Sequence, residues 1–356
     1  MHMMVEKKML RRSLLFTGAG VLAALAQDQK KKEDDVQIAG ATQDPTPRVG
    51  IVLSSFKQGE DHDGTKIPGL KDPRLPGADL TPAQLDAMVR NAIDVAGRAT
   101  AEFYQVIEPE EWVGILTRPS TDPRIVGTMI SYLAEHKRGI RFTVVDRLAK
   151  AGEWGPEYPK IVSGLGSKFP GVRFELVDLN SAPTIDLPVP GKSSVTYTIP
   201  RVVQGCDRMI SIAPLSTDPV TGVSLSIGNY AAITSKPANT DEALIDLFSY
   251  RPADFALVGG CWGVEGDGTR VHHNVLISGE KAVAVDSIAA AVMGFKPADL
   301  PFLALGEKRG FGSWDPDGIW TRGNDIDQAR REFKKPTAWR KASLAPATPA
   351  SLRAFF

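Results

Sequence analysis

Apolar residues along this chain fall into short continuous runs, and the stretches between several of them carry apolar positions at helical spacing. Residues 49–54 (VGIVLS), 112–116 (WVGIL), 140–145, 172–179, 208–213 and 255–258 are such runs, rich in β-branched side chains, and read as strands. Between the first two, Thr81 is placed to cap a helix, Pro82 fits its first turn and Gln84 stands at the capping-box position. Leu85, Met88, Val89, Ala92, Ile93 and Ala96 then recur on one helical face. Asp122 and Pro123 open a second helix, in which Val126, Met129, Ile130 and Leu133 face the core. Residues 283–293 are apolar and alanine-rich throughout, the pattern of a deeply packed helix. Residues 274–278 read as a further strand at a sheet edge, 180–200 as a polar, Pro-rich connection, and 325–333 as a short charged helix.

Buried strands alternating with helices predict an α/β fold: a three-layer sandwich with a mostly parallel, Rossmann-like sheet. The expected organisation is one α/β domain over residues 48–335, followed by a C-terminal tail at 336–356. In a parallel sheet Ser54, Thr117–Arg118, Asp146–Arg147, the segment 214–218 and the segment 261–267 all follow strands. They share the carboxyl end, where open α/β sheets bind ligands. Cys206 precedes one strand and Cys261 follows another, an arrangement too wide for a disulfide.

Composition narrows the class without naming a reaction. The 356 residues carry 42 basic and 42 acidic side chains, so bulk attraction to nucleic acid or an anionic membrane is not expected, and no basic stripe is interleaved with aromatics. Two cysteines are too few for an iron–sulfur cluster. Residues 1–26 combine Lys7, Lys8, Arg11 and Arg12 with a short apolar run that ends at Ala24-Leu-Ala26. The RRSLL string from Arg11 is similar to a twin-arginine export signal, which implies the export machinery as a partner and a periplasmic or extracytoplasmic address. Residues 27–47 read as a flexible tether, and no later segment reads as a transmembrane anchor.

In the second half, the stretches CDRMISIAPL from Cys206, TGVSLSIGN from Thr221 and GEKAVAVDSIAAAVMG from Gly279 resemble domain-of-unknown-function family 362. A looser likeness runs from Trp112 to Gly312, with Arg118-Pro119-Ser120 standing where the family tends to show Lys-Pro-Asn. The resemblance implies an α/β protein, and some members are joined to ferredoxin-like modules. It also leads to the expectation of a Lys-x-His element after the strand at 208–213, where this chain has Leu215-Ser216-Thr217-Asp218 instead. No ferredoxin-type cysteine cluster is present, which marks the chain as a divergent member.

Four groups of residues can carry chemistry. Asp61, His62 and Asp63 offer oxygen and nitrogen ligands in the long polar excursion at 57–79, and His272-His273 carries the same ambiguity between ligand and satisfied loop residue. The Gly-rich segment 259–268 holds Cys261, Trp262, Glu265 and Asp267, and reads either as an anion- or cation-binding loop or as a tight structural turn. Asp218 either binds a ligand or starts a turn, and Ser224, Ser226 and Asn229 can help to hold a polar ligand. Asp286 fits a structural role, as a cap or as a hydrogen-bond acceptor beneath the pocket.

The leading expectation is an exported, metal-assisted enzyme performing hydrolysis or proton abstraction on a small anionic substrate. In it Asp218, Glu265 and Asp267 hold a divalent metal of unspecified identity or share acid–base work. Arg118 and Arg270 clamp the anion, with Asn229 and Trp262 at the substrate. The alternative is a periplasmic ligand-binding protein without turnover, which gives Trp262, Trp314 and Trp320 a binding role. A structural or interaction protein, in particular one whose cleft is filled by the N-terminal loop, ranks third.

Overall fold

The computed structural model describes residues 46–53, 80–97, 103–235 and 240–339. Contacts divide the chain into Met1–Pro45 and Thr46–Phe356, and every described residue belongs to the second unit. The export signal, nearly all of the tether, Ser54, Asp61, His62, Asp63 and the tail beyond residue 339 lie outside the described residues.

Eight strands form one sheet in the order β12-β1-β11-β10-β7-β2-β3-β4. These are β1 (Arg48–Leu53), β2 (Trp112–Leu116), β3 (Arg141–Asp146), β4 (Arg173–Asp178), β7 (Arg208–Ala213), β10 (Phe255–Val264), β11 (Arg270–Gly279) and β12 (Trp320–Gly323). Only the contacts of β11 with β1 and β10 are antiparallel; all other neighbours run parallel. Seven strands therefore point the same way, and their carboxyl ends share one edge of the sheet. The predicted edge strand at 274–278 is instead part of β11, inside the sheet, because β11 returns as the second arm of a long hairpin from β10.

Helices cover both faces, giving a three-layer α/β fold. One face carries α1 (Pro82–Ala96), α2 (Pro123–His136) and α3 (Glu157–Lys168), packed on Val113, Ile115, Phe142, Val144 and Ile210. The Thr81 capping box forms as its spacing predicts, and Asp122 caps α2 with Pro123 in its first turn. The other face carries α5 (Asp241–Phe248), α6 (Ala282–Val292) and α7 (Pro301–Lys308), and all eleven residues of α6 are buried. Among the described residues no helix is long and apolar enough to cross a membrane.

Two sequence expectations change here. Residues 180–200 contain a hairpin, β5 (Thr184–Val189) and β6 (Lys192–Pro200), turned by Gly191 at φ 78°. The short α4 (Arg201–Gly205) leads from it into β7, while β8 (Thr217–Asp218) and β9 (Gly222–Val223) make a second small pair. The expected helix at 325–333 shrinks to α8 (Ile326–Ala329), after which the chain runs extended over the β10–β11 hairpin. Cys206 and Cys261 are buried thiols that are not joined in a disulfide.

Candidate functional site

The strand order reverses beside β2: the chain proceeds outward through β3 and β4, then returns to place β7 on the other side of β2. A crevice is expected at the carboxyl ends of β2 and β7. It is occupied by the chain itself. Arg118, just past β2, donates from Nε to Asn229 Oδ1 (2.7 Å), from Nη1 to Ser224 Oγ (2.8 Å) and from Nη2 to the Leu225 carbonyl (2.8 Å). Asn229 is spent in turn, its Nδ2 donating to the Leu116 and Ile212 carbonyls and to Ser211 Oγ. Below them Asp286, on the buried α6, accepts from the Ser226 N–H (3.0 Å), the Ser226 hydroxyl (2.6 Å) and the Ile227 N–H (2.9 Å). Asp286 thus acts as an internal cap for the 3₁₀ segment Ile227–Ile233.

The charges in this network are not directly paired. Burial pulls the Arg118 guanidinium down to about 10, while the charges of Asp286, Asp218 and Asp146 act the other way, so it stays a cation at neutral pH. Burial pushes the Asp286 carboxyl up to about 6, against the Ser226 and Ile227 donors and the Arg118 charge. Arg118 and Asn229 are brought together as the sequence suggests, with Asn229 orienting the guanidinium rather than facing open space.

A cleft at the carboxyl edge lies on the other face of the sheet. It has a volume of about 390 Å³ and is lined by Asp146 at the end of β3, by Leu148 and Lys150, and by Trp154 and Tyr158 at the start of α3. Pro119, Thr121 and Pro123, from the β2–α2 connection, form the opposite wall. Asp146 is 1% exposed, and its Oδ1 has no hydrogen-bond partner; Oδ2 receives a long contact from Thr117 Oγ1 at 3.4 Å. The Tyr158 hydroxyl is likewise buried without a well-formed partner. Burial pushes the Asp146 carboxyl up to about 6, against the Arg147 N–H, the Thr117 hydroxyl and the Arg118 charge. Burial also raises the Tyr158 phenol above its ordinary range. The next strand supplies a contrast. Asp178, in register with Asp146, accepts from Asn180 N and Nδ2, Gly152 N and Leu148 N. Burial alone would raise its carboxyl, yet the backbone donors of Asn180, Gly152 and Leu148 outweigh it and hold the group below the usual range. Asp178 thereby fixes the 148–152 loop that forms the rim of the cleft.

Asp146 and Tyr158 were not singled out as site residues in the sequence. The available signal was position: Asp146 ends an apolar strand at the edge where ligands bind.

The acidic candidates take other places. Asp218 Oδ1 accepts from Val220 N, Thr221 N and Thr221 Oγ1, which closes a turn between β8 and β9. Glu265 Oε1 accepts from Lys334 N, and Asp267 accepts from Thr269 N and Lys334 Nζ. The side-chain and backbone donors of Thr269 and the Lys334 ammonium hold the Asp267 carboxyl below the usual range. Among the described residues no group of three or more His, Cys, Asp or Glu side chains is arranged to hold a metal ion. Each of the three carboxylates, Asp218, Glu265 and Asp267, is engaged by donors of its own.

Most of the Gly-rich segment is strand. β10 continues through Gly259 (φ 120°) and Gly260 (φ 136°) to a bulge before Trp262, and the reason is close approach to β11. A Cβ on Gly259 would stand 2.1 Å from the Val275 carbonyl oxygen. Trp262 meets His272 edge-on across this pair (4.5 Å between centroids), and Arg270 is exposed at the start of β11. His273 is buried against Phe333, with Nε2 2.8 Å from the Ala329 carbonyl oxygen. Trp314 packs on the core, while Trp320 is half exposed with the Arg48 guanidinium over its ring. Burial pushes the Cys206 thiol up to about 12, the setting of an inert packing residue.

Comparison with known proteins gives a family and no chemistry. The lactate racemase apoprotein from Thermoanaerobacterium thermosaccharolyticum is similar at 13% identity and a TM-score of 0.36, over 61% of this chain and 57% of that one. The citrinin polyketide synthase CMeT domain (12% identity, 50% and 34% covered, TM-score 0.23) and the CurJ carbon methyltransferase (10%, 52% and 42%, TM-score 0.20) are more distant. The chain thus spans less than two thirds of each of these structures, and likenesses of this size carry no functional argument. No curated protein matches the chain. Residues 114–291, from β2 into the buried α6, match the domain of unknown function DUF362, and with half of its length matched the chain belongs to that family.

Proposed function

We propose that the protein is a proton-transferring enzyme that binds a small polar substrate in the cleft between β2, β3 and α3, with Asp146 as the group that exchanges the proton. One observation carries this reading: a buried carboxyl with an unpartnered oxygen lines an open cleft beside a tyrosine hydroxyl that lacks a well-formed partner. A polar group buried without its hydrogen bonds costs free energy, and a ligand that supplies them recovers that cost. A carboxyl near pKa 6 is present in both forms close to neutral pH, so it can accept a proton from a substrate O–H or N–H and return it. The test is a titration of ¹³C-labelled aspartate carboxyls by NMR. Two carboxyls are expected to titrate near 6, and Asp146→Asn should remove one; an Asp146 midpoint in the ordinary range of about 3–4 would overturn the reading.

The second reading, a ligand-binding protein without turnover, is favoured by Arg118, a cation whose hydrogen bonds go to the neutral acceptors Asn229, Ser224 and Leu225. It requires a small anion to take over donors of Arg118 now held by the chain that fills the crevice, and retention of anion binding by Arg118→Gln would exclude that site. In either reading residues 1–26 address the chain out of the cytoplasm, 27–47 tether it, and 48–335 form the working domain. Loss of export on changing Arg11 and Arg12 to Lys, followed by cell fractionation, tests the address.

A further inference from the structure

We infer that the cleft takes a small amine, a compact apolar or aromatic body carrying an ammonium group that is paired with the Asp146 carboxylate. The inference rests on the reading above only in using the same cleft. It departs from the anionic substrate that the arginines suggest in the sequence.

Leu148, Ala149, Pro119, Pro123, Pro156 and the Trp154 ring make apolar walls suited to a hydrocarbon body. Trp154 is held edge-on to Tyr158, with ring centroids 5.0 Å apart. Charge in the lining is mainly negative: Asp146, Glu153 and Glu157 against Lys150. The rim charges are well solvated, Lys150 pairing with Glu153 (3.3 Å) and Glu157 with Lys160 (3.3 Å), so they attract a cation only weakly and under salt screening. Selection falls to Asp146, whose Oδ1 has no donor.

Arg118 does not reverse this preference. Its guanidinium is turned to the other face of the sheet and held there by Ser224, Leu225 and Asn229, contributing only a field at Asp146. The charged and titratable groups facing Asp146 are therefore Arg118 from the β2–α2 connection, Asp178 from β4, and Tyr158 from α3. An anion in the cleft would meet three carboxylates. An ammonium would supply the donors that Asp146 Oδ1 and the Tyr158 oxygen lack. The proton exchanged is then the ammonium's own: the carboxylate becomes the acid and the ammonium the free amine. Burial favours that transfer because it replaces two charges with two neutral groups.

The test is NMR titration of the whole protein with benzylamine, phenethylamine and cyclohexylamine, set against phenylacetate and benzyl alcohol, read at the Trp154 indole N–H. That signal is assigned by its loss in Trp154→Phe. At least one amine should bind at least tenfold tighter than phenylacetate at pH 7.5. Its affinity should fall about tenfold at pH 5, where Asp146 must first lose its proton. Asp146→Asn should abolish both the preference and the pH dependence. If that variant does not fold, Glu153→Gln on the solvated rim should weaken the amine less than about threefold while leaving the pH dependence intact. Phenylacetate binding as tightly as the amines, or no response to any amine at millimolar concentration, overturns the inference. An Asp146 midpoint near 6 by carboxyl NMR would in that case leave the proton-transfer reading standing.

Discussion

Two polar clusters lie at the same edge of the sheet and differ in how completely their hydrogen bonds are made. In the Arg118–Asn229–Asp286 cluster, each oxygen of Asp286 has a donor and each polar atom of Asn229 a partner. That cluster holds the 3₁₀ segment over β2 and β7 and fills the place where the topology predicts a crevice. In the Asp146–Tyr158 cluster, one carboxylate oxygen is buried without a partner, and one phenol oxygen without a well-formed one, beside an open cleft. Asp178 sharpens the contrast, because a strand neighbour of the same type in register with Asp146 is fully satisfied. Complete satisfaction fits a structural role, and incompleteness beside a cavity is what the proposed site rests on. Burial alone separates neither pair.

The strongest way to break this comparison is Asp286→Ala. It orphans two backbone N–H groups in a closed core and should cost about 2–5 kcal/mol by urea unfolding. A loss below about 1 kcal/mol would show that the filled crevice is not what Asp286 stabilises.

Asp146→Asn should behave in the opposite sense. The folded-state carboxyl titrates near 6 against an ordinary value of 3.8, so its contribution to stability is full below pH 3.8 and lost as pH rises through 6. The variant carries no such penalty, and its stability relative to the parent should improve by on the order of 2 kcal/mol between pH 4 and pH 8. A pH-independent difference between the two would mean that Asp146 does not titrate in this way.

Smaller effects follow at the hairpin tip. Lys334→Ala removes an ion pair to Asp267 between two well-exposed side chains and should change unfolding free energy by less than about 0.5 kcal/mol. Changing Glu265 and Asp267 together to Ala should leave the metal content of the purified protein unchanged by mass spectrometry. Loss of a one-per-chain metal in that double variant would return the acidic tip to the centre of the chemistry.

The alternation of apolar runs and helical stripes was enough to place β1, β2, β3, β4, β7, α1 and α2 within a residue or two, because period, caps and β-branched runs act locally. The β5–β6 hairpin was hidden by its prolines and polar alternation. The length of β10 was hidden by glycines whose purpose is the approach of β11. Asp218, Glu265 and Asp267 stood out in the sequence because acids near glycines suggest a ligand loop, and each is taken up by a local turn or by the segment around Lys334. Asp146 did not stand out because it and Asp178 are both aspartates ending strands, and the local difference, Asn180 two residues beyond Asp178, does not show which carboxylate keeps an open oxygen.

What the sequence by itself determined, then, was the class of fold and which polar residues share the carboxyl edge of the sheet, since both follow from short-range periodicity and strand direction. Tertiary structure alone decided which carboxylate is left wanting a partner. That depends on Leu148 and Gly152 reaching Asp178 from the loop after β3 while Thr117 gives Asp146 only a long contact, and these donors are neighbours in space rather than along the chain.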